Sequence, residues 1–323
     1  MTLGQKIAWD NSVLPFELDR SGIRGRVARL GDVLDRILAG HGYPAEVEDL
    51  LAEAAVLTAL IGPAIKLRWR LSLQVRGDGP VRILATDYFA PVGEGAPARM
   101  RAWASFDRDA LRDAAAGAEP FGLLGEGVLA VTIDQGRHML PYQGIVELGG
   151  GGLAEALARY FSQSEQLPTR FAVAAAREGQ GREAAWRAGG LMVQQMPAAS
   201  GGDDEAVRSA AERAEDWRRT NILIDTVERD ELVGPEVAPT DLLVRLFHEE
   251  VPRVFPAQPI TFGCTCSREK AEAVLRQMDP AERARAVTGD GTITVDCQFC
   301  GARYSFAPEE LGTPPAGDGP DGA

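Results

Sequence analysis

Leu67-Arg-Trp-Arg-Leu-Ser-Leu-Gln-Val-Arg76 alternates apolar and polar residues until Gly77-Asp-Gly-Pro80 ends the run. A period of two puts Leu67, Trp69, Leu71, Leu73 and Val75 on one side and Arg68, Arg70, Ser72, Gln74 and Arg76 on the other. That is a strand with one wet face. Val81, Ile83 and Ala85 resume the alternation beyond the turn, so the two runs predict a hairpin. Outward from it, residues 100–105, 128–134, 143–148, 169–175 and 184–195 read as further strands. Helical spacing separates them, through Val33, Leu34, Ile37 and Leu38, then 50–61, then 153–164. The order lacks the regular strand-helix-strand rhythm of a doubly wound sheet, which predicts an α+β fold with a mainly antiparallel sheet and packed helices.

The most apolar stretch, residues 50–65, is too short for a membrane span and carries Glu53, so it reads as a buried core helix. A chain of 323 residues, 45% hydrophobic and 25% charged, suits two domains or one domain with appendages, and can bury a sizeable core. Its 34 basic against 47 acidic side chains leave a net charge of −13, which argues against nucleic acid as a partner. No secretory signal or membrane segment is evident, so the expected location is the cytoplasm.

Composition changes at Pro197-Ala-Ala-Ser-Gly-Gly202, and between 201 and 250 fourteen acidic residues face six arginines, a net of −8. Val207, Ala210, Ala211, Ala214 and Trp217 keep helical spacing, as do Leu242, Leu243 and Leu246, with Pro235 and Pro239 as breaks. Such a segment is expected to be helical, thinly cored and dependent on whatever it lies against. The expected organisation is a core domain over 1–197, an acidic, metastable helical linker over 198–254, a small module over 255–312 that holds every cysteine of the chain, and a disordered tail over 313–323.

All four cysteines lie close together, as Cys264-Thr-Cys266 and, thirty residues on, Cys297-Gln-Phe-Cys300. Two short pairs brought together supply four thiolates, the coordination Zn²⁺ takes in closed structural sites. The residues between fit a small module. Ser267 caps a helix over 268–278, Asp279-Pro280 opens a second helix, and Gly289-Asp-Gly291 turns into a strand leading to the second pair. Permanent disulfides suit a cytoplasmic chain poorly, and a thioredoxin-like Cys-x-x-Cys would begin a helix, whereas residues 301–306 read as a strand. A disulfide closed across one residue would be strained and easily reversed, and Arg268, Lys270 and Arg303 nearby in sequence are expected to favour thiolates. A redox role is therefore chemically reasonable.

With these residues in hand the sequence resembles the 33 kDa chaperonin family of redox-regulated holdases. Phe262-Gly-Cys264-Thr-Cys266-Ser-Arg-Glu269 and Cys297-Gln-Phe-Cys300 followed by Tyr304 and Phe306 carry the likeness. Tyr142-Gln-Gly144, Ser164-Glu-Gln-Leu-Pro-Thr169, Ala188-Gly-Gly190 and Leu246-Phe-His-Glu249 extend it over nearly the whole chain. The resemblance implies a chaperone of the stress response, not an enzyme, with Cys264, Cys266, Cys297 and Cys300 holding one Zn²⁺ when reduced. It further implies that oxidation forms the disulfides Cys264–Cys266 and Cys297–Cys300, releases zinc, unfolds the linker and lets the protein, as a homodimer, hold unfolded clients without ATP. Two alternatives stay open: a thiol-disulfide oxidoreductase using Cys297 and Cys300, and a constitutive zinc-module adaptor.

Other features read more plainly. Gly149–Gly152 lacks the Lys-Ser/Thr of a phosphate loop, and His248-Glu-Glu250 lacks the second histidine of a zinc-protease helix. His41 and His138 have no evident catalytic partner. Trp69, Trp103, Trp186 and Trp217 are expected to pack in the core or against the linker.

Overall fold

The computed structural model describes residues 9–114, 119–137, 139–178, 185–197 and 209–311. The expected disordered tail, the acidic residues Asp203, Asp204 and Glu205, Val207 and His138 lie outside the described residues. The chain divides into two compact units, Met1–Gly263 and Cys264–Ala323.

The first unit opens with β1 (Ser12–Leu18) and β2 (Ile23–Leu30), then α1 (Asp32–Leu38) and α2 (Ala45–Ile61). β3 (Arg70–Gly77), β4 (Val81–Phe89) and β5 (Ala98–Phe106) follow, then α3 (Arg108–Ala114), β6 (Gly127–Asp134), β7 (Tyr142–Glu147) and α4 (Leu153–Ser164). β8 (Thr169–Glu178) and β9 (Ala185–Gln195) precede α5 (Ala210–Ile224), α6 (Arg229–Val233), α7 (Pro239–Phe247), β10 (Arg253–Val254) and β11 (Gln258–Phe262). The expected hairpin is present, with Leu73 opposite Thr86 and Val75 opposite Leu84. Its tight turn has a steric reason: a Cβ on Gly77 would lie 1.9 Å from the Leu124 carbonyl oxygen.

Among the described residues one sheet runs β7-β6-β3-β4-β5-β11-β1-β2-β9-β8, with β10 also on β1. Its pairings are antiparallel except β11 with β5, where Ile260 lies opposite Ala98. On its other edge β11 meets β1 antiparallel, Ser12 opposite Pro259. This strand therefore joins the two antiparallel halves of the sheet. The stretch 255–262, grouped above with the thiol module, thus contributes a strand to the large sheet.

The two faces of the sheet are covered differently. On one, α2 is buried on every side, from Val47 through Leu50, Leu51, Val56, Leu57 and Leu60, and packs with α1 and α4 in the main core. α4 contributes Leu153, Ala156, Leu157, Tyr160 and Phe161, the i, i+3, i+4, i+7, i+8 stripe of an amphipathic helix. On the other face, alternate residues of β1, β2 and β9, including Leu14, Phe16, Leu18, Val27, Leu191 and Val193, form a second core with α5, α6 and α7.

The acidic segment is better cored than its sequence predicts. Pro239 opens α7 at the first turn, where its missing N–H costs nothing, and Leu242, Leu243, Leu246 and Phe247 are all buried. Expectation holds for α5, whose buried residues are Asp216, Thr220 and Ile224 behind a Ser209–Glu212 capping box. Trp186 is buried, but Trp69, which precedes β3 and lies outside the strand expected from Leu67, is 43% exposed.

The second unit contains α8 (Arg268–Gln277), α9 (Pro280–Arg285) and the antiparallel pair β12 (Ile293–Asp296) and β13 (Arg303–Phe306). Ser267 accepts from the Lys270 amide at 3.3 Å and Asp279 from the Ala281 amide at 2.8 Å, capping the two helices as their sequences predict. The buried core is small: Leu275, Ile293, Phe306 and Leu311.

Candidate functional site

Cys264 and Cys266 precede the N-cap of α8, and Cys297 and Cys300 occupy the turn between β12 and β13. That turn is closed by the Cys297 amide donating to Ala302 O at 2.9 Å and the Gly301 amide to Cys297 O at 2.8 Å. Gly301 has φ 67, a left-handed conformation that glycine adopts without strain.

The four Sγ atoms lie within 4.8 Å of one another, and all four cysteines are half-buried and free of disulfides. Cys264 Sγ is 3.7 Å from Cys297 Sγ, and Cys266 Sγ is 3.4 Å from Cys300 Sγ. A tetrahedral ion at about 2.3 Å from each sulfur requires edges of roughly 3.8 Å. Thiol number, softness and spacing therefore suit a metal ion.

Charge around the cluster differs from the sequence expectation. Arg303 is paired with Asp296 through bonds of 2.7 and 3.0 Å. Arg268 pairs with Glu310 and lies over the Phe306 ring, 4.3 Å from its centroid. Lys270 Nζ donates to the Thr265 carbonyl. These cations are thus engaged with a carboxylate, a ring or a carbonyl oxygen. Burial instead pushes the Cys297 and Cys300 thiols above their ordinary range, a direction that the charge of a bound cation would reverse.

One residue beside the sulfurs entered the sequence reading only through the family likeness, with no chemical role. Tyr304, placed opposite Val295 in the β12–β13 pair, donates its hydroxyl to Cys266 Sγ at 3.2 Å. The sequence signal was its place in that motif, four residues after Cys300.

Together these features define an α+β protein with a helix-covered sheet and a C-terminal cluster of four thiols able to hold a metal ion. Comparison with known proteins agrees. The family model described as "Hsp33 protein" matches residues 11–307. A "33 kDa chaperonin" of Caulobacter vibrioides (strain NA1000 / CB15N) is 36% identical over 302 residues, 93% of this chain and 95% of the relative. One of Ectopseudomonas mendocina (strain ymp) is 36% identical over 305 residues, 94% and 95% of the two chains. Among solved structures, the 33 kDa chaperonin (heat shock protein 33 homolog) of Thermotoga maritima matches with a TM-score of 0.75 at 25% identity, covering 93% of this chain and 96% of that one. The chain belongs to the Hsp33 family. It is accordingly a chaperone-family protein and not an enzyme, and among the described residues no helix is long and apolar enough to cross a membrane.

Proposed function

We propose that this protein is a redox-regulated, ATP-independent holdase of the bacterial cytoplasm. The observation that carries the reading is the second core, where α5, α6 and α7 cover Leu14, Phe16, Leu18, Val27, Leu191 and Val193 on the sheet. Lifting residues 198–254 would uncover a continuous apolar face, the kind of surface that binds unfolding chains. The segment's high acidity would keep the resulting complexes dispersed.

In the reduced state Cys264, Cys266, Cys297 and Cys300 would hold one Zn²⁺, whose positive charge would keep the four half-buried sulfurs ionised and tie the start of α8 to the β12–β13 turn. Oxidation forms Cys264–Cys266 and Cys297–Cys300. Each disulfide takes two electrons from a thiolate pair, so two equivalents of peroxide, each gaining two protons from solvent and reduced to two waters, complete the change. A disulfide sulfur is a far poorer ligand than a thiolate, so the metal leaves, and the small core of the unit cannot hold its fold. The linker then opens, clients bind, and the active form is a homodimer.

The alternative oxidoreductase reading is less well supported. Cys297 and Cys300 sit in a strand turn, without the helix N-terminus that lowers the pKa of an attacking thiol.

The test treats zinc-loaded protein with peroxide at raised temperature, follows metal release with a chelating dye and measures suppression of aggregation of a thermally unfolding client. Zinc release together with a gain in holding activity supports the switch. Equal activity before and after oxidation rejects it, and turnover of insulin disulfides would favour the oxidoreductase.

A further inference from the structure

Within the apolar face of β1, β2 and β9 lies one strongly polar spot. Arg29 on β2 is 1% exposed. Its guanidinium is spent on peptide carbonyls: Nε donates to Leu232 O at 3.1 Å, and Nη2 to Glu231 O at 2.8 Å and to Val237 O. Among the described residues no carboxylate is hydrogen-bonded to it, although the Asp10 charge acts on it, and Nη1 is buried without a hydrogen-bond partner. Arg187 on β9 continues the pattern, Nε donating to Val233 O at 3.1 Å while its Nη atoms grip the Asp10 carboxylate at 2.9 and 2.7 Å. Opposite Arg29 in the strand pair stands Gly189, where a Cβ would lie 1.9 Å from Leu232 O. The glycine leaves room for a main chain to touch the sheet.

Residues 231–237 are therefore gripped chiefly through groups that every polypeptide possesses. The side chains that count are Leu232 and Val233, 3% and 2% exposed, and they ask only for apolar character. A folded protein has its carbonyls engaged in helices and sheets, whereas an unfolded chain offers them freely. Once vacated, a guanidinium hydrogen-bonded to no carboxylate regains its lost bonds from any chain that supplies carbonyls.

We propose that Arg29, Arg187 and Gly189 form a main-chain subsite for unfolded polypeptide, filled by residues 231–237 in the folded state and by client chain when that segment leaves. The inference rests on the holdase reading above and names how a client is recognised: carbonyl capture by buried guanidiniums, next to the apolar contacts.

The test uses the full-length, oxidised protein with two labelled probes, a peptide of residues 228–238 and the same peptide with an ester replacing the amide between Leu232 and Val233. The ester carbonyl is a poorer acceptor, so binding should weaken about tenfold. Arg29→Met, which keeps the apolar stem and removes the donors, should lower affinity for both the amide peptide and a thermally unfolded client about tenfold or more. In reductant the same variant should be cut faster within residues 209–250 by a trace protease. If wild type binds client and both peptides equally, or Arg29→Met binds client as wild type does, the subsite is overturned while the holdase reading stands. If oxidised wild type binds no client at all, the holdase reading itself falls and takes this inference with it. The ester comparison needs no variant, so a folding defect in Arg29→Met cannot mask the answer.

Discussion

The Tyr304 hydroxyl donates a hydrogen bond to Cys266 Sγ at 3.2 Å. Such a bond draws charge from a metal-bound thiolate, lowering its reactivity and fixing its orientation. Tyr304→Phe removes a single oxygen and leaves the ring in place. Metal affinity, measured by competition with a chelating dye, should fall roughly 10–100-fold, the usual scale for groups that orient a ligand. Alkylation of Cys266 should also quicken. A change smaller than twofold in both would mean that the bond does nothing for the cluster.

Metal removal should unfold the second unit. Its buried core is Leu275, Ile293, Phe306 and Leu311, too few large side chains to offset the chain entropy of some fifty residues. Hydrogen exchange on the intact chain, with and without chelator in reductant, should show protection lost across residues 264–311. Retained protection there would contradict a metal-dependent fold.

Leu243 is completely buried in the second core. Leu243→Ala should cost about 2–5 kcal/mol locally, the range for cavities of this kind. The expected outcome is faster proteolysis within residues 209–250 and measurable holding activity before any oxidant is added. A variant that remains inactive and resistant in reductant would separate α7 from regulation.

Glu53 on α2 gives a pH signature. Burial, with Glu155 nearby, pushes its carboxyl up to about 7 from an ordinary value of 4.5. The folded state thus holds this proton more tightly than the unfolded one. Stability from this group is complete below about pH 4.5, is lost as pH rises toward 7, and stays lost above it. Glu53→Gln should therefore stabilise the protein at pH 8 by on the order of 1–3 kcal/mol and change little at pH 4.5. Urea denaturation at both values measures this, and equal effects at the two would refute the assignment.

Much of this architecture was legible in residue order. The alternation through Arg70–Arg76, the apolar run of α2 and the caps Ser267 and Asp279 follow local rules and appear as read, although the strand begins at Arg70 and not at Leu67. The β1–β2 hairpin was not legible, because Arg29 interrupts the apolar face that Ile23 and Val27 begin in β2. Arg29 is buried all the same, since its partners are carbonyls about two hundred positions away. Cations near the thiols misled for the converse reason: sequence proximity says nothing of which carboxylate or ring will claim a guanidinium. The thiols themselves were legible because four soft ligands in two short pairs are a local pattern.

The chain leaves the sheet at the end of β9, Gln195, and re-enters it at Arg253 and Gln258, on strands bonded to β1 and β5. Anything that melts between these points becomes a closed loop rather than a free tail. For about 60 residues, closure withholds roughly 3–4 kcal/mol of the entropy an untethered chain would gain. Both ends also stay fastened, so the melted segment remains at an effective concentration in the millimolar range beside the face it left. Client release would then be set by an intramolecular competitor already in place, needing no nucleotide to drive the exchange.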